Sequence, residues 1–282
     1  PYYSLRRIWR VLDRVAPSLE LSPWVEDGFS KDYPFSVVPE KKLSVADVID
    51  LFRDHYQGTE FDLTQGLAAG PFGNPNRYSG SSRLIKGSWE RALSIFRCEY
   101  VFVSQVRDWL PDPVGGVIWW GAAAPHEVVL VPLYCGITDV PDAFDTGSLE
   151  KFDRDVASWA FNFMGNWAEL KWSYMYPEIQ AFQKKTEGKL FAMQPAIEAA
   201  AAQLYAVDPE LCKEFLTDYV ADVTDRVMAE TWEFNEYLIT KYRDGYINIP
   251  NVGASAGYPD AWLKEVGYAD GHIFGDDGYK AK

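Results

Sequence analysis

Cysteine and histidine are both scarce in this chain, with three of each among 282 residues. Cys98, Cys135 and Cys212 lie 37 and 77 residues apart, with no CxxC pair and no histidine at ligand spacing. No local zinc site is therefore encoded, and neither a metal nor another cofactor is expected. An odd number of cysteines also excludes a full disulfide framework, and buried free thiols are the expectation. Positive charge is in short supply: 27 Lys and Arg stand against 41 Asp and Glu, a net charge of −14. A surface of that sign repels phosphate backbones, which argues against a nucleic-acid partner. No run approaches the roughly 18 consecutive apolar residues of a membrane span. Residues 1–10 carry three arginines where a secretory leader would have an apolar core. There is no N-x-S/T acceptor, no internal repeat and no low-complexity tract. Methionine is missing from the first position, where Pro1 stands, so a processed product or part of a longer chain is expected.

Aromatic residues, by contrast, are plentiful. With 11 Trp, 17 Tyr and 16 Phe in a composition that is 48% apolar, there is ample material for a packed core. Residues 3–15 place Ile8, Leu12 and Val15 on one helical face and Arg6, Arg7, Arg10 and Arg14 on the other, which predicts a surface helix stopped by Pro17. Ser44 is positioned to cap a second helix carrying Val45, Val48, Ile49 and Phe52. A loop rich in Gly, Asn and Ser covers 58–87. Three strands are predicted at 97–107, 116–123 and 127–133, forming an antiparallel meander. After Asp153 the period becomes helical: Val156, Trp159, Ala160, Phe163, Trp167, Leu170 and Tyr174 recur at steps of three and four. A long helix is expected over 209–243. This divides the chain into a loop, helix and sheet part (1–150), a helical part of the same domain (151–244) and a Gly- and Asp-rich tail (245–282).

Several short motifs have two readings. Gly253-Ala254-Ser255-Ala256-Gly257 matches the G-x-S-x-G nucleophile elbow, with Asp260 or Asp270 and then His272 behind it. An elbow joins a buried strand to a helix, whereas Pro250 and Pro259 bracket this segment, so a small-residue turn is favoured. Asp270, His272, Asp276 and Asp277 carry hard-cation donors, but acidic glycine-rich tails are ordinarily solvated. A Cys-His dyad would need His55, His126 or His272 to meet a thiol. Cys98 and Cys135 lie in or beside apolar strand segments, where burial raises the thiol pKa and quiets it. In the strand from Tyr100 to Arg107, alternation puts Gln105 and Arg107 on the face of Val101 and Val103. A strand end can thus present an amide and a guanidinium together, a fork suited to a carboxylate or an oxyanion. The alternative is an edge salt bridge from Arg107 to Asp108 or Asp112. The loop from His55 through Thr59 and Asp62 to Thr64, continuing over Gly70-Pro71-Phe72-Gly73, mixes donors, acceptors and aromatic faces on flexible backbone. It is either a ligand-contacting wall or an ordered surface turn.

Taken together, His55-Tyr-Gln-Gly-Thr59 with Asp62, Gly70-Pro-Phe-Gly73, Gln105-x-Arg107-x-x-Leu110-Pro111 with Gly116 and Trp119, Pro132-x-Tyr134 and Ser158-Trp159 resemble the dipeptidase A and secernin family of cysteine-dependent hydrolases. The resemblance covers about residues 1–185. It implies an α+β, N-terminal-nucleophile (Ntn) hydrolase-like αββα sandwich, in which two stacked antiparallel sheets lie between helix layers. It also implies hydrolysis of dipeptides by a cysteine that heads the mature protein. No such cysteine stands at position 1, so the resemblance implies a nucleophile on a preceding segment or on an N-terminal companion chain cut from the same precursor. By the same resemblance Arg107 has a catalytic, electrostatic role, and Gln105, His55, Thr59 and Asp62 contact the dipeptide, Asp62 through its ammonium. The alternative is a non-catalytic binding or assembly subunit of the same fold. The long helices are also expected to serve homo-oligomer contacts. Acidic composition and processing fit a secreted, periplasmic or lysosome-like location, and the family also has cytoplasmic bacterial members.

Overall fold

A computed structural model describes residues 2–25, 33–80 and 84–268. The chain opens with α1 (Tyr2–Val15), followed by α2 (Val45–Phe52). Ser44 caps α2 as expected: its hydroxyl accepts from the Asp47 N–H, and the Asp47 carboxylate accepts from the Ser44 N–H, a reciprocal box that satisfies two orphan donors. A long irregular stretch leads to β1 (Val101–Val106), a one-turn helix α3 (Asp112–Gly115), β2 (Gly116–Gly121) and β3 (Val131–Tyr134). The remaining elements are α4 (Asp142–Asp145), α5 (Ala157–Ala168), α6 (Trp172–Val207), α7 (Pro209–Tyr242), the two-stranded ribbon β4 (Tyr246–Ile247) and β5 (Ala254–Ser255), and α8 (Asp260–Glu265).

The meander forms in the predicted order β1-β2-β3 and antiparallel throughout, with Phe102 opposite Trp120 and Val117 opposite Tyr134, but its third strand starts at Val131 rather than at 127. Side chains alternate across it. Val101, Val117, Trp119 and Tyr134 are buried on the helix-facing side, whereas Phe102, Ser104, Val106 and Ile118 are exposed on the other. The helical cover is an antiparallel pair: Phe182 of α6 stacks on Phe234 of α7 at 4.6 Å between ring centroids. Trp119 of the sheet meets Phe191 of α6 at 4.4 Å, and Tyr134 meets Tyr219 of α7 at 6.3 Å. Among the described residues there is one three-stranded sheet with helices on one of its faces, plus the short β4–β5 ribbon.

Three expectations about faces are corrected. In α1 the inward line is Leu5, Arg6, Trp9, Arg10 and Leu12, while Ile8 is exposed. The arginines turn inward because each finds a partner there: Arg10 a buried carboxylate at Asp54, and Arg6 the carboxylate of Glu90 and the face of Phe61, 3.6 Å from its ring centroid. In α5 the buried line is Ala157, Ala160, Phe161, Met164, Gly165 and Ala168. Trp159, Phe163 and Trp167 are half-buried, and Leu170, beyond the helix, is exposed. The small residues let α5 approach α7 closely enough for Asn235 Nδ2 to donate to the Ala160 carbonyl at 2.9 Å. The third concerns the thiols. All three cysteines are free; Cys212 is buried and Cys98 half-buried, with burial raising both pKa values, but Cys135 is exposed just beyond β3.

Candidate functional site

The loop after α2 is built on one carboxylate. Asp54 accepts from Arg10 Nη2 at 2.8 Å, from Arg14 Nη1 at 2.7 Å and from the Tyr56 N–H at 2.7 Å. Burial pushes its pKa up, but the hydrogen bonds and charge of Arg10, with the Tyr56 amide and Arg14, outweigh that and hold it below the ordinary value. The Tyr56 bond helps keep that residue in the left-handed region at φ +66°, and its hydroxyl is tied to the Arg91 carbonyl at 2.6 Å. Downstream, Asp62 Oδ1 accepts from the Thr64 N–H at 2.9 Å and the Thr64 hydroxyl at 2.6 Å, while Thr59 Oγ1 donates to the Tyr56 carbonyl at 2.8 Å. Thr59 and Asp62 thus spend these bonds on shaping the loop. Gly73 closes it, since a Cβ there would lie 3.0 Å from the Thr64 carbonyl oxygen. Loop, α1, α2 and the start of α6 enclose a cavity of about 470 Å³, lined by Arg14, Gln57, Thr64, Gln65, Trp172 and Tyr176 among others.

Behind that wall lies a cluster of buried ionisable groups. The rings of His55 and His126 are 5.1 Å apart, and each meets Trp172 edge-on, at 5.6 and 5.3 Å. His126 Nδ1 is 2.8 Å from Ser94 Oγ, and its Nε2 is 3.8 Å from Glu127 Oε2. Neither histidine Nε2 makes a hydrogen bond. Burial, partly offset by Asp54 and Asp62, lowers the His55 pKa to about 4. Burial, followed by the charges of His55 and Arg53, takes His126 well below its ordinary value. Burial raises Glu127 to about 8. All three groups are therefore neutral at pH 7.

The sign of the pH dependence follows. The Glu127 pKa is raised on folding, so its unfavourable effect is absent below the unfolded value and grows as pH rises towards 8. Both histidine pKa values are depressed, so stability is lost as pH falls below about 6.5, for His55 down to about 4. Glu127→Gln, an isostere of the neutral acid, is expected to raise Tm over wild type by a margin that widens from pH 5 to pH 9. A constant difference in thermal melts across that range would refute the assignment.

Arg107 lies elsewhere. Its guanidinium is buried and donates to Glu198 Oε1 of α6 at 2.5 Å and to the carbonyls of Gly115 and Val114 at 3.2 Å. Gln105 Oε1 accepts from Gln194 Nε2 at 2.9 Å and from Trp119 Nε1 at 3.3 Å, and Gln194 also donates to Glu198 at 2.7 Å. The predicted shared face of Gln105 and Arg107 therefore exists, and it is the helix-facing one. The ion-pair partner is Glu198, 91 residues away in sequence, rather than Asp108 or Asp112. His55 packs on Trp172 and Arg107 pairs with Glu198. Those helix residues are 26 positions apart in α6, about 39 Å at 1.5 Å per residue. A dipeptide spans about 7 Å, so one substrate does not reach both.

The sequence motifs outside these two places are resolved in part. Ala254 and Ser255 pair with Ile247 and Tyr246 in the ribbon after a turn at Gly253 with φ +75°, and no buried strand feeds a helix there. Asp270, His272, Asp276 and Asp277 lie outside the described residues. Among the described residues no three His, Cys, Asp or Glu side chains are grouped to hold a metal, and no helix is long and apolar enough to cross a membrane. Sequence reasoning missed Asp54, Glu127, Trp172 and Tyr176, and named His126 only as a possible partner for a thiol. The spacing of Arg10 and Arg14, one helical turn apart, was a signal for a shared acidic partner.

The profile of peptidase family C69 matches residues 1–185. A probable dipeptidase of Latilactobacillus sakei is 28% identical over 143 residues, covering 51% of this chain and 26% of that protein. A probable dipeptidase A of Streptococcus pyogenes serotype M3 is 21% identical over 226 residues, covering 80% of this chain and 44% of that protein. Dipeptidase A of Lactobacillus helveticus is 23% identical over 194 residues, covering 68% of this chain and 36% of that protein. The chain thus spans less than half the length of the curated relatives it matches.

Proposed function

Since this chain belongs to peptidase family C69, we propose that it is the C-terminal part of a cysteine-dependent dipeptidase, with the nucleophile carried by a preceding segment or companion chain. The observation that carries this is the open side of the β1-β2-β3 sheet. Tyr100, Phe102 and Trp120 stack there, with centroids 5.0 Å apart for Tyr100–Trp120 and 6.5 Å for Phe102–Trp120, and Val106, at the other end of β1 on the same face, is 82% exposed. An apolar ladder on one face of a sheet whose other face is already packed calls for a further layer. A second sheet stacked there would complete an αββα Ntn sandwich.

In that arrangement the α-amine of the N-terminal Cys takes the thiol proton as the sulfur attacks the dipeptide carbonyl, and hands it to the leaving amine as the C–N bond breaks. Water then hydrolyses the thioester and regenerates the thiol. Arg107, committed to Glu198 and to the Gly115 and Val114 carbonyls on the helix-facing side, acts from there as a positioning residue for the strand end, and Gln105 joins the same network through Gln194. His55, Thr59 and Asp62 shape the distant loop wall.

Intact mass spectrometry and dipeptide turnover test the proposal. A companion polypeptide or upstream segment whose mature end is Cys, with turnover abolished by alkylating it, is expected. Turnover is expected to fall at least tenfold in R107A/E198Q, where the second change removes the stranded carboxylate. Hydrolysis unaffected by alkylation or by the double substitution would overturn the assignment. A homogeneous, inactive sample without such a companion favours a binding or assembly subunit.

A further inference from the structure

The cavity between α1, α2 and the start of α6 is used by no step above. We propose that it is a binding site for a neutral amide, the peptide plane or carboxamide of a small uncharged ligand, and not for a charged terminus. The inference stands whether or not a sulfur nucleophile docks on the sheet.

Size comes first: about 470 Å³ lies within the range of small-molecule sites. Charge comes next. Four charged side chains line the cavity, and they are already committed. Arg14 Nη1 donates to Asp54 at 2.7 Å and its Nη2 to Asp50 at 2.8 Å. Arg53 is bidentate to Glu187 at 2.6 and 3.0 Å and also donates to the Pro125 and Val128 carbonyls. A carboxylate entering here finds both guanidiniums already paired, and an ammonium finds only the exposed edge of Asp50, where a charge pair in water is worth little; an uncharged ligand leaves every pair intact.

What the walls still offer suits a planar amide. Trp172 and Tyr176 stack with centroids 4.4 Å apart and planes 21° apart, giving a rigid aromatic floor. Gln57 uses its carboxamide on His55, but Gln65 and Gln180 are exposed at the cavity and can each present a donor and an acceptor. The Tyr176 hydroxyl is buried and makes no hydrogen bond of ordinary geometry, with the Gln180 amide beside it. A buried phenol in that state gains when a ligand carbonyl accepts from it.

The experiment is a protein-observed NMR titration of the chain with N-acetylglycinamide, alongside acetate and glycylglycine. Saturable shifts at the Gln65 and Gln180 side-chain amides are expected with N-acetylglycinamide, at an affinity at least fivefold above that for the two charged probes. Affinity is expected to drop at least fivefold in Tyr176→Phe, which keeps the ring, and in the exposed Gln65→Ala. Absence of saturation, unchanged affinity in both variants, or tighter binding of acetate or glycylglycine would overturn the site. Because binding is read without turnover, a failed peptidase assay leaves this result standing, and the converse also holds.

Discussion

Replacing Asp54 with alanine is expected to cost the fold about 3–5 kcal/mol, as breaking a buried ion pair from one side does. The carboxylate is almost completely enclosed and serves Arg10, Arg14 and the Tyr56 amide at once. Removing it leaves the buried guanidinium of Arg10 with only Asp13 at 3.3 Å and the Gln57 carbonyl at 2.9 Å, and releases the left-handed Tyr56 from the hydrogen bond that fixes it. Asp54→Asn should lose less, since the amide oxygen still accepts one bond, although the charge is gone. Urea denaturation of both variants checks this. A loss below about 1 kcal/mol for the alanine variant, the scale of an exposed pair, would show that the cluster is not the anchor of the loop.

Gly165→Ala is expected to be nearly as damaging, in a position where helix propensity alone predicts a gain. Alanine in a helix interior is favoured over glycine by about 0.5–1 kcal/mol. Here the new Cβ would lie 1.5 Å from Glu127 Oε2, 2.6 Å from its Cδ and 2.9 Å from its Cβ, against a side chain that is itself buried. Overpacking of this kind costs about 1–3 kcal/mol or more. The diagnostic is the double variant: Glu127→Ala combined with Gly165→Ala should recover most of the loss, a coupling of about 1–3 kcal/mol in a thermal or urea cycle. Additive losses would place the damage elsewhere in α5.

The chain's elements were readable where local chemistry decides them. Ser44 sets its own helix start through side-chain bonds within three residues, and β1 and β2 announce themselves by alternation, down to the shared face of Gln105 and Arg107. The faces were harder. Local periodicity in α1 puts Ile8 inward and Arg6 and Arg10 outward, whereas the carboxylates that take the arginines in, Glu90 and Asp54, lie 84 and 44 residues away in sequence. The same distance problem hid the site. Nothing near Arg107 in sequence names Glu198, and nothing near His55 names Trp172, so two places at opposite ends of one helix read as a single pocket. Glu127, at the start of the third predicted strand, carries no mark of its own in the sequence, since what makes it unusual is the enclosure supplied by α5.

Trp119 and Trp120 are adjacent in β2, yet the first is sealed against α6 while the second belongs to the outward aromatic ladder. Losing or gaining one residue inside this strand would swap their places and turn every neighbour to the wrong side. Length changes in the sheet are therefore compatible with the fold only in pairs or out in the connecting turns, and homologous chains of different length should differ there.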